Sequence, residues 1–165
     1  MVAQPPSRSA VHPGPDADEL ALLTRWHALH TGVRRLTDGM LAVVEAEQEL
    51  APSSFQALMF LAAAPGRAAP MNQLSAALGF STAGTTKLVD RLEGAGLVER
   101  RPCATDRRVV HTALTPAGAG SVRAAAVLLA RTLRARVVEP LGEDAFRCLA
   151  DTVGSLDPFG PVPCS

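Results

Sequence analysis

The sequence predicts a mostly α-helical domain with a single small β-hairpin, and three observations predict it. Apolar residues recur at three- and four-residue intervals through most of the 165 residues, the period of helices with one buried face. Two short β-prone runs, "LVER" and "RVVHTAL", flank the turn-prone "PCATD", which is a hairpin pattern. The composition is 47% hydrophobic and only 4% aromatic, with no Tyr. Small aliphatic side chains must therefore build the core, and Ala and Leu favour helices. A chain of this length is one domain of ordinary size with enough surface to bury a core.

Each element follows in order. Residues 1–15 hold four prolines, at positions 5, 6, 13 and 15, beside Gly14, and read as a disordered arm. Residues 16–50 read as one long amphipathic helix, with Leu22, Leu23, Trp26, Leu29, Val33, Leu36, Met40, Leu41 and Val44 at helical intervals. Acidic residues in its first turn suit the helix dipole, and a loosening is expected near Gly32 and Gly39. Such a helix exceeds the three-turn average, so its apolar face needs cover from outside one compact core. Pro52 starts the next helix and Pro65-Gly66 ends it. A short helix is expected at 71–78, a turn at Gly79-Phe80, and a second helix from Ser81, its N-cap, to about Ala95. Two short helices around a tight glycine turn form a helix-turn-helix. After the hairpin, Thr115 and Pro116 open a helix expected to run to about Glu139. A last helix at 142–156 carries Phe146, Leu149, Val153 and Leu156 on one face, and 157–165 form a tail. No internal repeat is visible.

Several function classes are excluded. Cys103, Cys148 and Cys164 are an odd number without metal-type spacing, which suggests reduced thiols in a cytoplasmic protein. Neither a signal peptide nor a membrane-spanning run is visible. His27 and His30 share a helical face and His111 lies in a strand, but without an acid or Cys at ligand spacing they read as packing or surface residues. There is no nucleophile elbow, phosphate-binding glycine loop or close carboxylate pair. The chain is expected to be no enzyme, with no cofactor and no metal.

The helix from Ser81 carries the chemistry. With Leu88 inward, Thr85, Leu92 and Ala95 share the buried side, Thr82, Ala83, Thr86 and Asp90 point outward, and Lys87 lies on the flank. A short, hydroxyl-rich helix end with one cation suits a DNA major groove, where Ser and Thr bond base edges or phosphates and small residues allow close approach. The chain has zero formal net charge, yet residues 99–108 gather Arg100, Arg101, Arg107 and Arg108 against Glu99 and Asp106, a local excess of two positive charges. Arginine suits phosphates and a narrow minor groove. Asp106 is placed to brace Arg108, leaving Arg107 or Arg108 to reach the groove. Between Asp16 and Glu49 acids prevail by four, so positive charge is displaced toward the hairpin and toward Arg131, Arg134 and Arg136.

The stretch "STAGTTKLVDRLEGAGLVERRPCATDRRVVHTALTPAG", residues 81–118, resembles the MarR family of winged helix-turn-helix regulators, whose wing reads roughly D-x-R followed by a strand and L-T-x-x-G. The likeness extends loosely over residues 16–156, including "ELAPSSFQALMFLA". It implies a winged helix-turn-helix lobe at 51–114 between an N-terminal dimerisation helix at 16–50 and C-terminal dimerisation helices at 115–156. A homodimer would then bind a pseudo-palindromic operator on double-stranded DNA, one recognition helix and one wing per subunit. The DNA-contacting residues expected are Ser81, Thr82, Gly84, Thr86, Lys87, Arg101, Asp106, Arg107 and Arg108. The resemblance also implies a repressor released by a small apolar or phenolic effector, in a pocket for which Trp26, His30, Phe55 and Met59 are the candidates. Two alternatives stay open: a winged-helix module that binds proteins, and a thiol-responsive regulator acting through Cys103, whose neighbours Arg101 and Arg107 favour a thiolate.

Overall fold

The computed structural model describes residues 14–102 and 110–156. The chain divides into two units, residues 1–38 and 39–165, and the first helix, α1 (Ala17–Gln48), runs through the division. α1 opens on a reciprocal cap. Asp16 Oδ1 accepts from the Glu19 N–H at 2.8 Å, and Glu19 Oε2 accepts from the Asp16 N–H at 2.9 Å, which satisfies two amides that a helix start leaves without partners. The helix continues through Gly32 and Gly39, contrary to the expected loosening. A glycine costs about 1 kcal/mol in a helix, and the Ala, Leu, Arg and Glu around these two outweigh it.

In the first unit every described residue except Thr31 is exposed, including Leu22, Leu23, Trp26, Leu29, Val33 and Leu36. In the second unit Leu41 and Val44 of α1 enter the core. There they meet α2 (Pro52–Ala63), which begins with Pro52 and buries Phe55, Ala57, Leu58 and Leu61. A 3-10 turn at Pro65–Arg67 follows, with Gly66 at φ 62° and Arg67 at φ 54°.

β1 (Ala68–Pro70) is a strand that the sequence did not suggest. Three residues are too few to display a period of two, and Pro70 is tolerated because β1 is an edge strand. The sheet order is β1-β3-β2, antiparallel throughout, with β2 at Val98–Pro102 and β3 at Val110–Leu114. Arg100 stands opposite Thr112. Between β1 and β2 lie α3 (Met71–Leu78) and α4 (Thr82–Gly94). Gly79, left-handed at φ 65°, closes α3, a conformation that glycine adopts without steric cost. Leu74, Val89, Leu92 and Val98 complete the core with Leu58, Leu61 and Val44.

The root of the hairpin is joined to α5 (Pro116–Leu133) by a tight junction. Thr115 Oγ1 donates to the Gly96 carbonyl at 2.7 Å and accepts from the Gly118 N–H at 3.0 Å. A Cβ on Gly118 would stand 1.9 Å from the Leu97 carbonyl oxygen, so only glycine fits here. The helix expected to reach Glu139 is interrupted. α5 passes into a π-turn at Arg134–Val138, where the Glu139 N–H bonds the Arg134 carbonyl, before α6 (Glu139–Leu141). Pro140 has no N–H to give and its ring would clash with the carbonyl four residues back, which the wider turn avoids. α7 (Glu143–Leu156) buries no residue, and Leu149, Val153 and Leu156 are exposed.

Candidate functional site

α4 is built in two halves of opposite character. Its N-terminal half is capped by Ser81, whose Oγ accepts from the Gly84 N–H at 3.1 Å. Ser81, Thr82, Ala83, Thr86 and Lys87 are exposed. Thr86 Oγ1 donates to the Thr82 carbonyl at 2.9 Å, and Lys87 makes no ion pair among the described residues. A Cβ on Gly84 would come within 3.3 Å of Ser81 Oγ, so glycine keeps the capping oxygen uncrowded.

Behind this face, hydroxyl contacts fix α4 on α3. Thr85 is fully buried; its Oγ1 donates to the Ser81 carbonyl at 3.1 Å, and the single Ser75 Oγ–H is shared between Thr85 Oγ1 at 2.9 Å and the Met71 carbonyl at 3.0 Å. Both hydroxyls are thereby satisfied, as burial requires. Leu88 and Leu92 face inward as the sequence indicates, and Val89 joins them. Ala95 is exposed rather than buried. It caps the helix where the chain turns away into Gly96 at φ 71°, beyond the reach of the helical face.

The C-terminal half of α4 is charged and engaged. Arg91 Nη2 donates to Ser53 Oγ and Ser54 Oγ, each at 3.1 Å, tying α4 to the first turn of α2. Asp90 and Glu93 both bind Arg100 of β2. Arg100 Nη2 meets Asp90 Oδ1 at 2.5 Å, Nη1 pairs with Glu93 Oε2, and the Arg100 N–H reaches Glu93 Oε1 at 3.3 Å. The guanidinium is held above its ordinary range, first by the hydrogen bond to Asp90 and also by the charges of Glu93 and Asp90, against the opposing effect of burial. On the other face of β2, Arg101 pairs with Glu99, its Nε at 2.6 Å from Oε1. Asp90 is exposed as expected, but its partner was not foreseen. The signal was present in two acids three residues apart on a helix, followed by an arginine on the next strand.

Of the expected contact residues, Ser81, Thr82, Gly84, Thr86 and Lys87 therefore cluster at one helix end, and Arg101 lies on β2. Asp106, Arg107, Arg108 and Cys103 lie outside the described residues. The pocket candidates divide: Trp26 and His30 are exposed in the first unit, while Phe55 and Met59 share a groove of about 420 Å³ in the second with Gln56, Phe60, Ala77 and Leu78. Met59 also lines a cleft of about 180 Å³ with Leu114, Val122, Arg67 and Arg123. Among the described residues, no group of three or more His, Cys, Asp or Glu is placed to hold a metal ion. No described helix is long and apolar enough to cross a membrane.

A capped helix-turn-helix beside a three-stranded sheet, with a hairpin immediately after its second helix, defines a winged helix-turn-helix protein. Comparison with known proteins agrees. Residues 48–109 match the family model described as "MarR family". The transcriptional repressor MprA of Escherichia coli is 39% identical over 64 residues, which are 39% of this chain and 36% of that repressor's length. The match thus spans about a third of the curated relative. AbsC, a MarR family transcriptional regulator from Streptomyces coelicolor, superposes with a TM-score of 0.73 at 21% identity, over 88% of this chain and 95% of its own. The transcriptional repressor CouR, solved bound to a 23-mer DNA duplex, superposes with a TM-score of 0.71 at 28% identity, over 87% of this chain and 99% of its own. Residues 48–109 thus carry the likeness to the MarR family, and the fold is the winged helix-turn-helix of the regulators on which the chain superposes.

Proposed function

We propose that this chain is a repressor that binds a pseudo-palindromic operator on double-stranded DNA as a homodimer. The observation that carries the reading is the first two turns of α4. Their exposed Ser81, Thr82, Thr86 and Lys87 stand on a helix end whose orientation is fixed from behind by the Ser75–Thr85 contact. Such an end enters a major groove with donors and acceptors for base edges and one cation, Lys87, that can reach a base edge as well. Arg107 and Arg108 are the proposed minor-groove contacts, with Asp106 bracing Arg108 and Arg101 flanking them. The exposed leucines of α1 and the apolar face of α7 are the proposed dimer surface. Repression is supported by the likeness to MprA and CouR, both transcriptional repressors. The proposed compartment is the cytoplasm, where the DNA is.

Release by a small apolar or phenolic effector fits the cleft beside Met59. Its floor of Leu114 and Val122 is apolar, and Arg67 and Arg123 at its rim can meet an acidic group. The cleft adjoins both α5 and the end of β3.

The test is selection of DNA fragments by the purified protein, followed by fluorescence anisotropy on the selected site and a scrambled one. A preference of roughly a thousandfold or more is expected. Thr86→Ala and Lys87→Ala should reduce it, while Arg107→Ala and Arg108→Ala should weaken binding to all DNA and each lower the salt slope by about one. A protein that selects no fragment, or whose binding ignores all four substitutions, overturns the reading.

A further inference from the structure

The alternation of β2 assigns its two described arginines to different tasks. Successive strand residues face opposite sides. Val98, buried, and Arg100, half-buried, share the side facing the lobe, whereas Arg101 and Glu99 share the other. Arg100 therefore points at α4, where Asp90 and Glu93, three residues apart, form one ridge.

We infer that Arg100 is a positioning residue: by gripping Asp90 and Glu93 it fixes the first wing strand to the recognition helix, so that helix and wing meet DNA at one set spacing. This rests on the DNA-binding reading above and says how that site is held together. Three features support it. Both terminal nitrogens of the guanidinium are engaged, one on each carboxylate, and the Arg100 backbone N–H also donates to Glu93. A planar fork can span two carboxylates in this way, and a lysine ammonium cannot do so with the same geometry. Without Arg100 the recognition helix would present two uncompensated acids beside a polyanion. Across the sheet, Arg100 stands opposite Thr112, which is buried and hydrogen-bonds Met71 of α3, so the gripped strand is paired with one that is itself seated on the lobe. The three charged side chains keep 31%, 57% and 38% of their exposure. Partly exposed pairs of this kind add little to global stability, and the effect is expected in geometry and specificity.

The experiment uses the full chain with Arg100→Lys, which keeps the charge but loses the fork, and the double variant Asp90→Asn/Glu93→Gln, which keeps the arginine but removes its charged partners. Without DNA, amide exchange in peptides covering 98–102 and the last turns of α4 should quicken roughly fivefold in both variants, with α2 unchanged. With DNA, the ratio of operator to scrambled affinity should fall roughly tenfold in both while the salt slope stays at the wild-type value. Thermal melting confirms that the variants are folded. Unchanged exchange overturns the clamp whatever the DNA result. So does a double variant that binds every DNA more tightly with its preference intact, the result of freeing a phosphate-seeking arginine. A wild-type protein that selects no DNA overturns the DNA-binding reading alone, and the exchange measurement still decides the clamp.

Discussion

Two leucine-bearing helices of this chain meet opposite fates. The outer part of α1, residues 17–38, displays Leu20, Leu22, Leu23, Trp26, Leu29, Val33 and Leu36 to solvent, whereas α2 buries Phe55, Ala57, Leu58 and Leu61. Hydrophobic periodicity announces that a helix has a face to cover without saying what covers it. α2 finds its cover within the chain, against α3, α4 and α5. Among the described residues the outer stretch of α1 stays exposed, and apolar residues so placed suit an interaction surface. The same residue type thus serves folding in one helix and, in the proposed dimer, association in the other.

That contrast can be broken experimentally. Leu58→Ala removes a fully buried side chain and should cost about 2–5 kcal/mol of unfolding free energy by urea titration. Gly118→Ala drives a methyl group into the Leu97 carbonyl; a loss of about 1–3 kcal/mol is expected, with the hairpin root and α5 showing the largest chemical-shift changes. Ser81→Ala removes the α4 cap and should cost about 1 kcal/mol. Trp26→Ala should change unfolding by no more than about 0.5 kcal/mol when measured at dilutions where the monomer prevails. Its effect is reserved for sedimentation, where the dimer dissociation constant should rise about thirtyfold or more. A Trp26→Ala protein that unfolds like Leu58→Ala and sediments like wild type would erase the distinction between the two helices.

Much of the fold was legible because local chemistry and global packing agree. Ser81 and Thr115 cap as their residue types predict, Gly79 takes the left-handed turn, and the buried side of α4 follows Leu88. Three features were not legible, for physical reasons. β1 is three residues long and owes its existence to pairing with β3, a long-range partnership without a local pattern. Ala95 was assigned by extending a helical wheel past the point where the helix ends. Arg100 was counted as one of four positive charges near a turn, but charge summed along a sequence ignores which side of a strand each residue faces. The pairing of Arg100 with Asp90 and Glu93, and of Arg101 with Glu99, occupies both described arginines of the hairpin. In the proposed DNA complex, the electrostatic demand on the wing therefore falls on Arg107 and Arg108.

The π-turn before Pro140 alters the angular phase of everything after it. From Val122 to Val138 a regular helix would rotate through sixteen steps of about 100° each, leaving the second valine about 160° from the first. Val122 and Val138 are nevertheless both buried. Absorbing roughly one residue in the wide turn returns about 100° and brings Val138 to within about 60° of Val122's side. The turn thus acts as a frameshift written into geometry. Removing one residue from 134–137 would take out the bulge and keep Val138 on its present side but restore the clash at Pro140, whereas inserting one would swing Val138 and all that follows by a further ~100°.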